Sequence, residues 1–531
     1  MERAILKNKI YLYMTEFFAG VSVMAVELGA SRLLAPYFSS SQIVWTIIIG
    51  TIMIAMALGN IYGGKSADKD PNPDKLYFRI MIAALWIAAI PLLGKYVIVL
   101  VAGVLVFAVN NNFLIIAGFV SCMLIFVFPL FLLGTVTPSL VKYTVDSLSE
   151  SGSTVGRLNA FNTIGSIIGT FIPTFVSIPA VGTAATFLIF AGILLVISVA
   201  YFLSLKLPLK KKKKVPVSLA VYILCCIFGY NSSFAFWQSD LTYEGESVYN
   251  YLQVYETDDS VVLSTNVLFG VQSVYKKSKG LTGMYYDYAM AAPFMTKAED
   301  LSDIDVLILG MGTGTYATQL RRYLGDVNIT GVEIDDKITS LSREYFELTD
   351  DIPVVTYDGR AYLNVSKEKY DVIMVDAYQD ITIPFQMSSV EFFSLVKDRL
   401  KDGGVMVVNM NMKASGENNI NDYLSDTISS VFENVYTVDV PYSTNRELFA
   451  SDDANMTEEN FLSHLETVSS DELQYMMGTV REKLSLYRPG KRILTDDKAP
   501  VELLSMSVLD EIINDEIGHI KTIEDLLNLI G

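Results

Sequence analysis

Residues 306–335 read VLILGMGTGTYATQLRRYLGDVNITGVEID, and the fold is decided there. Val306-Leu307-Ile308-Leu309 is a short apolar run that reads as a buried strand. It ends in three alternate glycines, Gly310, Gly312 and Gly314, after which a helix-like segment opens. A second short strand over residues 328–332 ends in Glu333. Strand, glycine turn, helix, and an acid after the next strand are the parts of a nucleoside-binding α/β unit. The glycines let the backbone approach the ligand, and the acid can accept both ribose hydroxyls.

Composition divides the chain in two. The 531 residues have a mean hydropathy of +0.37 and a net charge of −18, too apolar for an ordinary soluble protein of this size. Residues 1–236 carry 17 Lys/Arg against 8 Asp/Glu; the remainder carries 23 against 50. A basic-flanked membrane region is therefore followed by a strongly acidic soluble region. All three cysteines (Cys122, Cys225, Cys226) lie in the apolar part, so the soluble part holds no disulfide and no cysteine chemistry. His464 and His519 are the only histidines and lie far from the glycine turn, so no clustered metal site is expected. A domain this acidic repels phosphate, which argues against nucleic-acid binding.

A membrane helix needs about 20 mostly apolar residues. Candidate spans lie at 10–30, 43–63, 80–98, 113–134, 159–178, 184–205 and 216–236, with 96–109 read as a short interfacial stretch. This predicts about seven spans over residues 1–236, then a β-hairpin and substrate-loop region at 237–300 and a catalytic domain at 301–531. Alternate loops are basic, from Arg3, Lys7 and Lys9 to the run at residues 210–214, whereas the other side carries only Arg32 and Lys95. Positive loops stay cytoplasmic, so the N-terminus is expected inside a plasma membrane. If 216–236 crosses, the acidic domain lies outside, yet nucleoside cofactors are made inside. The side of the catalytic domain stays open.

The first span carries Glu16, Glu27 and Arg32. The two acids lie eleven positions apart, close to three turns, so they share a helix face. Ionisable groups in a bilayer cost several kcal/mol unless paired or hydrated (~2.5–3.5 kcal/mol on insertion scales). A cation path and a single buried acid tied to a neighbouring helix both fit. The fifth span contains Gly165-x-x-x-Gly169, a pattern for close helix packing. Such faces permit a homo-oligomer without requiring one.

In the soluble part, YNYLQVYET and SVVLSTNVL alternate around Asp258-Asp259 and predict a β-hairpin. VQSVYKKSKGLTGMYYDYAMAAPFM (271–295) reads as a loop and a short tyrosine-rich helix. Strands are expected at 305–309, 328–332, 353–356, 371–376 and 404–410, alternating with helices as in a parallel sheet. Ligands sit at the carboxyl ends of such strands. The residues there are Gly310 to Gly314, Glu333, Asp358-Gly359 and Asp376.

On these residues the region from about 244 to 505 resembles the spermidine synthase family, the polyamine aminopropyltransferases, and with the helical region the chain looks like the family's membrane-fused branch. The segments are ELGASRLLAPYF (27–38), VYNYLQVYE (248–256), Gln272-Ser273, LTGMYYDY (281–288), DGRAYL (358–363), YDVIMVDAY (370–378), IPFQMSSVEFF (383–393) and LTDDKAPVELL (494–504). The resemblance implies a Rossmann-like, class I methyltransferase fold behind a multi-pass helical domain. It implies that Gln272 contacts the nucleoside, Glu333 holds the ribose hydroxyls, and Asp358 with Gly359 meets the adenine amino group. It further implies that Asp376 orients and deprotonates the attacking amine, and that Tyr285, Asp287 and Tyr442 fall at the substrate. S-adenosylmethionine or its decarboxylated form would be bound as substrate, with no metal, and a small molecule such as a polyamine would be the partner, its identity left open.

Two positions depart from the family pattern. Its glycine turn is GGGDGG, whose aspartate binds the donor ammonium; here that position is Thr313. Its second acid, three residues after the catalytic one, is here Gln379, with Asp380 one step further. Removing the first acid ends its repulsion of a carboxylate, about 4 kcal/mol at ~4 Å and an effective dielectric of 20 as an upper figure. The expectation is therefore tilted toward intact S-adenosylmethionine and its lysis to homoserine lactone and 5′-methylthioadenosine. Aminopropyl transfer from the decarboxylated donor is the alternative. Methyl transfer, and a cation transporter or sensor with a nucleoside-binding domain, are the further ones.

Overall fold

The computed structural model describes residues 8–106, 109, 112–144, 151–204, 213–230, 233–238, 240–267, 271–378, 383–411, 416, 419–506, 508, 510 and 511. The chain divides into two compact units, Met1–Trp237 and Gln238–Gly531.

The first unit is helical: α1 (Lys9–Phe38), α2 (Gln42–Lys69), α3 (Pro73–Leu105), α4 (Phe113–Gly134), α5 (Val136–Thr144), α6 (Ser151–Ile172), α7 (Ile178–Ser204) and α8 (Lys214–Gly229). Asn8, Ser41 and Asn72 cap α1, α2 and α3 by accepting from backbone amides of the first turn, which satisfies donors that a helix start leaves free. Among the described residues, five helical stretches, Lys9–Phe38, Gln42–Lys69, Pro73–Leu105, Phe113–Thr144 and Ser151–Ser204, are long and apolar enough to cross a membrane.

This differs from the seven expected spans in three places. Residues 96–105 do not start a separate interfacial segment, because α3 continues unbroken through Pro91 to Leu105; of the rest of the stretch expected at 96–109, residues 107 and 108 lie outside the described residues. The spans expected at 159–178 and 184–205 belong to one helical run of 54 residues, with a π turn at Pro173–Ser177 and a kink at Gly182 (φ 79°, ψ 171°). Only glycine takes that conformation without steric cost. The last expected span, 216–236, is a helix of 16 residues ending at Gly229, about 24 Å at 1.5 Å per residue and short of the roughly 30 Å apolar core of a bilayer.

Helix α6 lies against α1 through its glycines. A side chain at Gly165 would strike the backbone of Phe17, and one at Gly169 that of Val21. Glu16 is fully buried, and its Oε1 accepts from Thr137 Oγ1 of α5 (2.5 Å) and Asn162 Nδ2 of α6 (2.8 Å). Glu27 is only half-buried. The two acids therefore do not share one environment, and Glu16 is tied to neighbouring helices.

The second unit opens with a four-stranded antiparallel sheet, β1 (Leu241–Glu246), β2 (Tyr251–Glu256), β3 (Ser260–Ser264) and β4 (Val271–Lys276), in that spatial order. Strand β4 corrects the loop expected at VQSVYK: Ser273 and Tyr275 are buried and the segment pairs with β3. The short helices α9 (Tyr285–Ala289) and α10 (Ala291–Phe294) follow.

The main sheet then alternates with helices: β5 (Asp305–Leu309), α11 (Thr315–Leu324), β6 (Asn328–Glu333), α12 (Asp336–Tyr345), β7 (Val354–Thr356), α13 (Gly359–Val365), β8 (Tyr370–Val375), α14 (Val390–Arg399), β9 (Leu400–Met410), α15 (Ile420–Ser429), β10 (Asn434–Asp439), β11 (Arg446–Ser451), α16 (Glu459–Thr467), α17 (Asp471–Lys483) and β12 (Ser485–Leu486). Its order is β12-β10-β11-β9-β8-β5-β6-β7. Strands β5 to β9 pair in parallel, whereas β11 runs antiparallel between β9 and β10. Val306, Leu307, Leu309, Val372, Ile373, Val405 and Val407 are all shielded from solvent, as expected for strands covered on both faces.

Replacing Gly165 or Gly169 with leucine is expected to lower the thermal unfolding midpoint of the detergent-solubilised protein, at a cost of about 1–3 kcal/mol for overpacking. Gly156, which has open space at its Cβ position, serves as the control, and Gly156→Ala should leave the midpoint unchanged. Equal effects at all three positions would contradict the α1–α6 contact.

Candidate active site

The site is built where β5 and β8, neighbours in the sheet, both end. Gly310, Gly312 and Gly314 all have positive φ (84°, 54° and 78°), the region that non-glycine residues avoid. A side chain at Gly310 would strike the Asp376 carbonyl and Ala377. The absent side chain thus lets the glycine turn touch the loop after β8. Gly312 N–H donates to Glu333 Oε2 (2.9 Å), and Asp335 N–H donates to Glu333 Oε1 (3.1 Å). These bonds fix the acid at the end of β6, and a carboxylate retains acceptor capacity beyond two such bonds. Burial raises the Glu333 carboxyl above its usual range.

A cavity of about 340 Å³ lies over these strand ends, within the common size range of small-molecule sites (roughly 300–1,000 Å³). Its wall includes Gln272, Tyr285, Gly310, Gly312, Glu333, Asp358, Gly359 and Asp376. Eight of the residues expected from sequence therefore meet at one place. Asp358 also accepts from Ala361 N–H (2.8 Å) as the N-cap of α13, so it combines a local structural role with a position on the wall.

Asp376 is the centre of the polar arrangement. It lies one residue beyond β8, where the strand was expected to include it. Its Oδ2 accepts from Tyr285 OH (2.6 Å) and its Oδ1 from Asn409 Nδ2 (2.9 Å). Burial pushes the carboxyl up to about 7; the two hydrogen bonds pull it down, and nearby Glu333 adds to the rise. The Tyr285 phenol is pushed well above its usual range by burial and then by the Asp376 charge. A buried carboxyl that titrates near neutrality is suited to taking a proton from an amine.

Several expected residues do not reach the cavity wall. Thr313 is buried, and its hydroxyl lies 3.1 Å from that of Thr315, which lines the cavity in its place. Gly314 forms the N-cap of α11. Asp287 is fully buried and accepts from Thr282 N and Oγ1, Gly283 N and Gln319 Nε2; it folds the loop before α9 onto α11. Tyr442 is fully exposed at a turn residue with φ 56° between β10 and β11. Gln379 and Asp380 lie outside the described residues. Among the described residues, no group of three or more His, Cys, Asp or Glu side chains could hold a metal ion.

Sequence reasoning missed Asn409, Asn445 and Glu447. Asn445 Nδ2 donates to Asn409 Oδ1 (2.8 Å), extending the chain of hydrogen bonds from Asp376. Tyr378 OH donates to the Asn409 carbonyl. The one available signal was polar residues set in apolar strands, VVNM and RELFA.

Strand order, glycine turn and strand-end acids define a nucleoside-binding domain of the class I methyltransferase type. Residues 285–460 match the family model described as "Spermine/spermidine synthase domain". The chain is 52% identical over 339 residues to a "Probable polyamine aminopropyl transferase" of Bifidobacterium longum (strain NCC 2705), covering 61% of this chain and 74% of the relative. It is 26% identical over 305 residues to a polyamine aminopropyltransferase of Vibrio vulnificus (strain CMCP6), covering 54% and 98%. Among solved structures, spermidine synthase from Thermotoga maritima aligns with a TM-score of 0.39 at 20% identity, covering 47% of this chain and 85% of that one. The chain belongs to the polyamine aminopropyltransferase family.

A catalytic base at Asp376 predicts that kcat/KM falls about tenfold per pH unit below the carboxyl's titration near 7, because only the ionised carboxyl accepts a proton. Tyr285→Phe removes a hydrogen bond that favours the ionised form, so the acid limb should move to higher pH. Asp376→Asn should lower kcat by roughly 10²–10⁴-fold while leaving nucleoside binding intact. Glu333→Ala should instead weaken methylthioadenosine binding by roughly 10–100-fold, as for loss of hydrogen bonds to a charged group. Titration calorimetry and initial rates separate the two.

Proposed function

We propose that this chain is an aminopropyltransferase that moves the aminopropyl group of decarboxylated S-adenosylmethionine to a polyamine. The observation that carries the reading is the buried Asp376 carboxyl, held by Tyr285 and Asn409 in the same cavity as the glycine turn and Glu333. The 52% identity to the Bifidobacterium longum relative supports it.

The donor's nucleoside would lie between Gln272, the glycine turn and Asp358, with its ribose hydroxyls at Glu333. The acceptor arrives as an ammonium and must lose a proton before it can attack. Asp376 takes that proton, and Tyr285 holds the carboxyl in place. The nitrogen lone pair then attacks the propyl carbon bonded to sulfur. The new C–N bond forms as the C–S bond breaks, and the sulfur keeps the electron pair in 5′-methylthioadenosine. The sulfonium is already a good leaving group, so placement and desolvation are the protein's main contributions.

The lysis expected from Thr313 has less support. Thr313 is buried away from the cavity wall with its hydroxyl beside Thr315, and the missing acid at this position weighs less than the 52% identity to a probable polyamine aminopropyl transferase. The aminopropyl reading therefore replaces it as the main one. The five apolar stretches support a membrane-bound enzyme, and the acidic second part of the chain would raise the local concentration of cationic substrates.

Product analysis tests the proposal. Purified full-length protein given decarboxylated S-adenosylmethionine and 1,4-diaminobutane should form 5′-methylthioadenosine and a longer polyamine in equal amounts, and Asp376→Asn should lose both. Homoserine lactone from S-adenosylmethionine alone would restore lysis. S-adenosylhomocysteine would point to methyl transfer, and absence of all three products would leave the domain a binding module.

A further inference from the structure

Asn409 supports an ionised Asp376 only while its Nδ2, and not its Oδ1, faces the carboxyl. The two ends of an amide have nearly the same shape, so packing alone does not choose between them. Turned over, the buried Asn409 would set an oxygen lone pair against the carboxylate and favour its protonated form. The group that holds the amide one way round lies at the turn between β10 and β11.

Asn445 stands one residue before β11. Its Nδ2 donates to Asn409 Oδ1 (2.8 Å), which commits Asn409 Nδ2 to Asp376 Oδ1 (2.9 Å). The Asn445 amide faces the same choice of orientation, and Ser443 settles it. The backbone N–H of Asn445 donates to Ser443 Oγ (3.1 Å), and Ser443 Oγ donates to Asn445 Oδ1 (2.5 Å). A backbone N–H only donates. It makes the Ser443 oxygen an acceptor and leaves the hydroxyl proton for Asn445 Oδ1. The side-chain donors therefore all point one way, from Ser443 through Asn445 and Asn409 to Asp376. A backbone bond from Val440 N–H to the Asn445 carbonyl (3.1 Å) closes the turn.

Other titratable groups surround this line. From α9, Tyr285 donates to Asp376, and the Tyr286 ring lies against that of Tyr285. Glu333, Asp358, Tyr316 and Tyr378 line the same cavity as Asp376. On β11, Glu447 pairs across from Asn409, and Arg446 is engaged by Asp439 of β10. The hydrogen bond from Asn409 lowers the proton affinity of Asp376 against the rise that burial causes.

We propose that Asn445 is a positioning residue, which holds the Asn409 amide with its donor toward Asp376 and so sets the pH at which the base becomes available. The proposal rests on the aminopropyl-transfer reading, in which Asp376 takes the proton of the amine. Asn445 acts through Asn409, and Ser443 in turn orients Asn445. A half-buried residue at a turn thereby governs a carboxyl deep in the cavity wall.

The acid limb of kcat/KM tests this, measured on full-length protein with decarboxylated S-adenosylmethionine and 1,4-diaminobutane. Asn409→Leu removes a hydrogen bond to a charged group, so the limb should move up by about one pH unit or more. Asn445→Leu frees the Asn409 amide to turn over, and the limb should move up by at least about half a unit. The double variant should stop at the value for Asn409→Leu, because the two side chains act in series. Methylthioadenosine affinity should stay unchanged in all three. A residue that only braces the turn would lower kcat at every pH without moving the limb. An unmoved limb in Asn445→Leu, or shifts that add in the double variant, would overturn the proposal. Ser443→Ala covers the case in which Asn445→Leu fails to fold: it should move the limb the same way, and an unmoved limb there counts against the proposal equally. Infrared spectra recorded against pH follow Asp376 without turnover, its carbonyl band being the one lost in Asp376→Asn. A wild type without turnover overturns the functional reading, and the infrared titration then still decides the role of Asn445. A working enzyme whose limb and band both ignore Asn445→Leu overturns that role alone.

Discussion

The burial of one carboxyl, Asp376, organises the second unit. Taking it out of water raises its proton affinity to the neutral range, which suits a base for an amine. The same burial requires that its oxygens be satisfied, and Tyr285 and Asn409 do so from opposite directions in the chain. The loop before α9 must then be held, which Asp287 does through Thr282, Gly283 and Gln319. Strand β9 must also extend far enough to present Asn409 one residue before its end. Gly310 has no side chain where the Asp376 backbone passes. Each of these features follows from placing an acid at the dry end of a parallel sheet.

Much of the nucleoside half of the site was legible because its signals are local. Gly310, Gly312 and Glu333 announce themselves by spacing, since a positive φ and a strand-end acid are sequence-neighbour properties. Asp358 and Asp376 were legible for the same reason: each follows a short apolar strand. Thr313 was read as facing the donor, but the alternation of a tight turn turns its side chain toward Thr315. The resemblance sets Tyr442 at the substrate, but the turn that holds it leaves the side chain exposed to solvent. Asn409, Asn445 and Glu447 were not legible. Their partnership depends on the register of β9 with β11, and register is a long-range property.

In the helical unit, spans chosen by length alone divided what the chain joins. Proline did not end α3, because Pro91 is accommodated inside the helix, while Gly182 bends a run that apolarity alone would continue. The Gly165 and Gly169 pattern, read as packing, is where α6 meets the backbone of α1. The acid at position 16 finds partners on two other helices, a pairing that the face of a single helix cannot reveal.

Strand β11 sits between β9 and β10, although it follows both in the chain. During synthesis β10 therefore emerges before its partner and has no place in the sheet until β11 arrives. Strand β11 also pairs with the end of β9 that presents Asn409 to Asp376. The last inserted strand of this part of the sheet thus backs the strand end on which the buried acid leans.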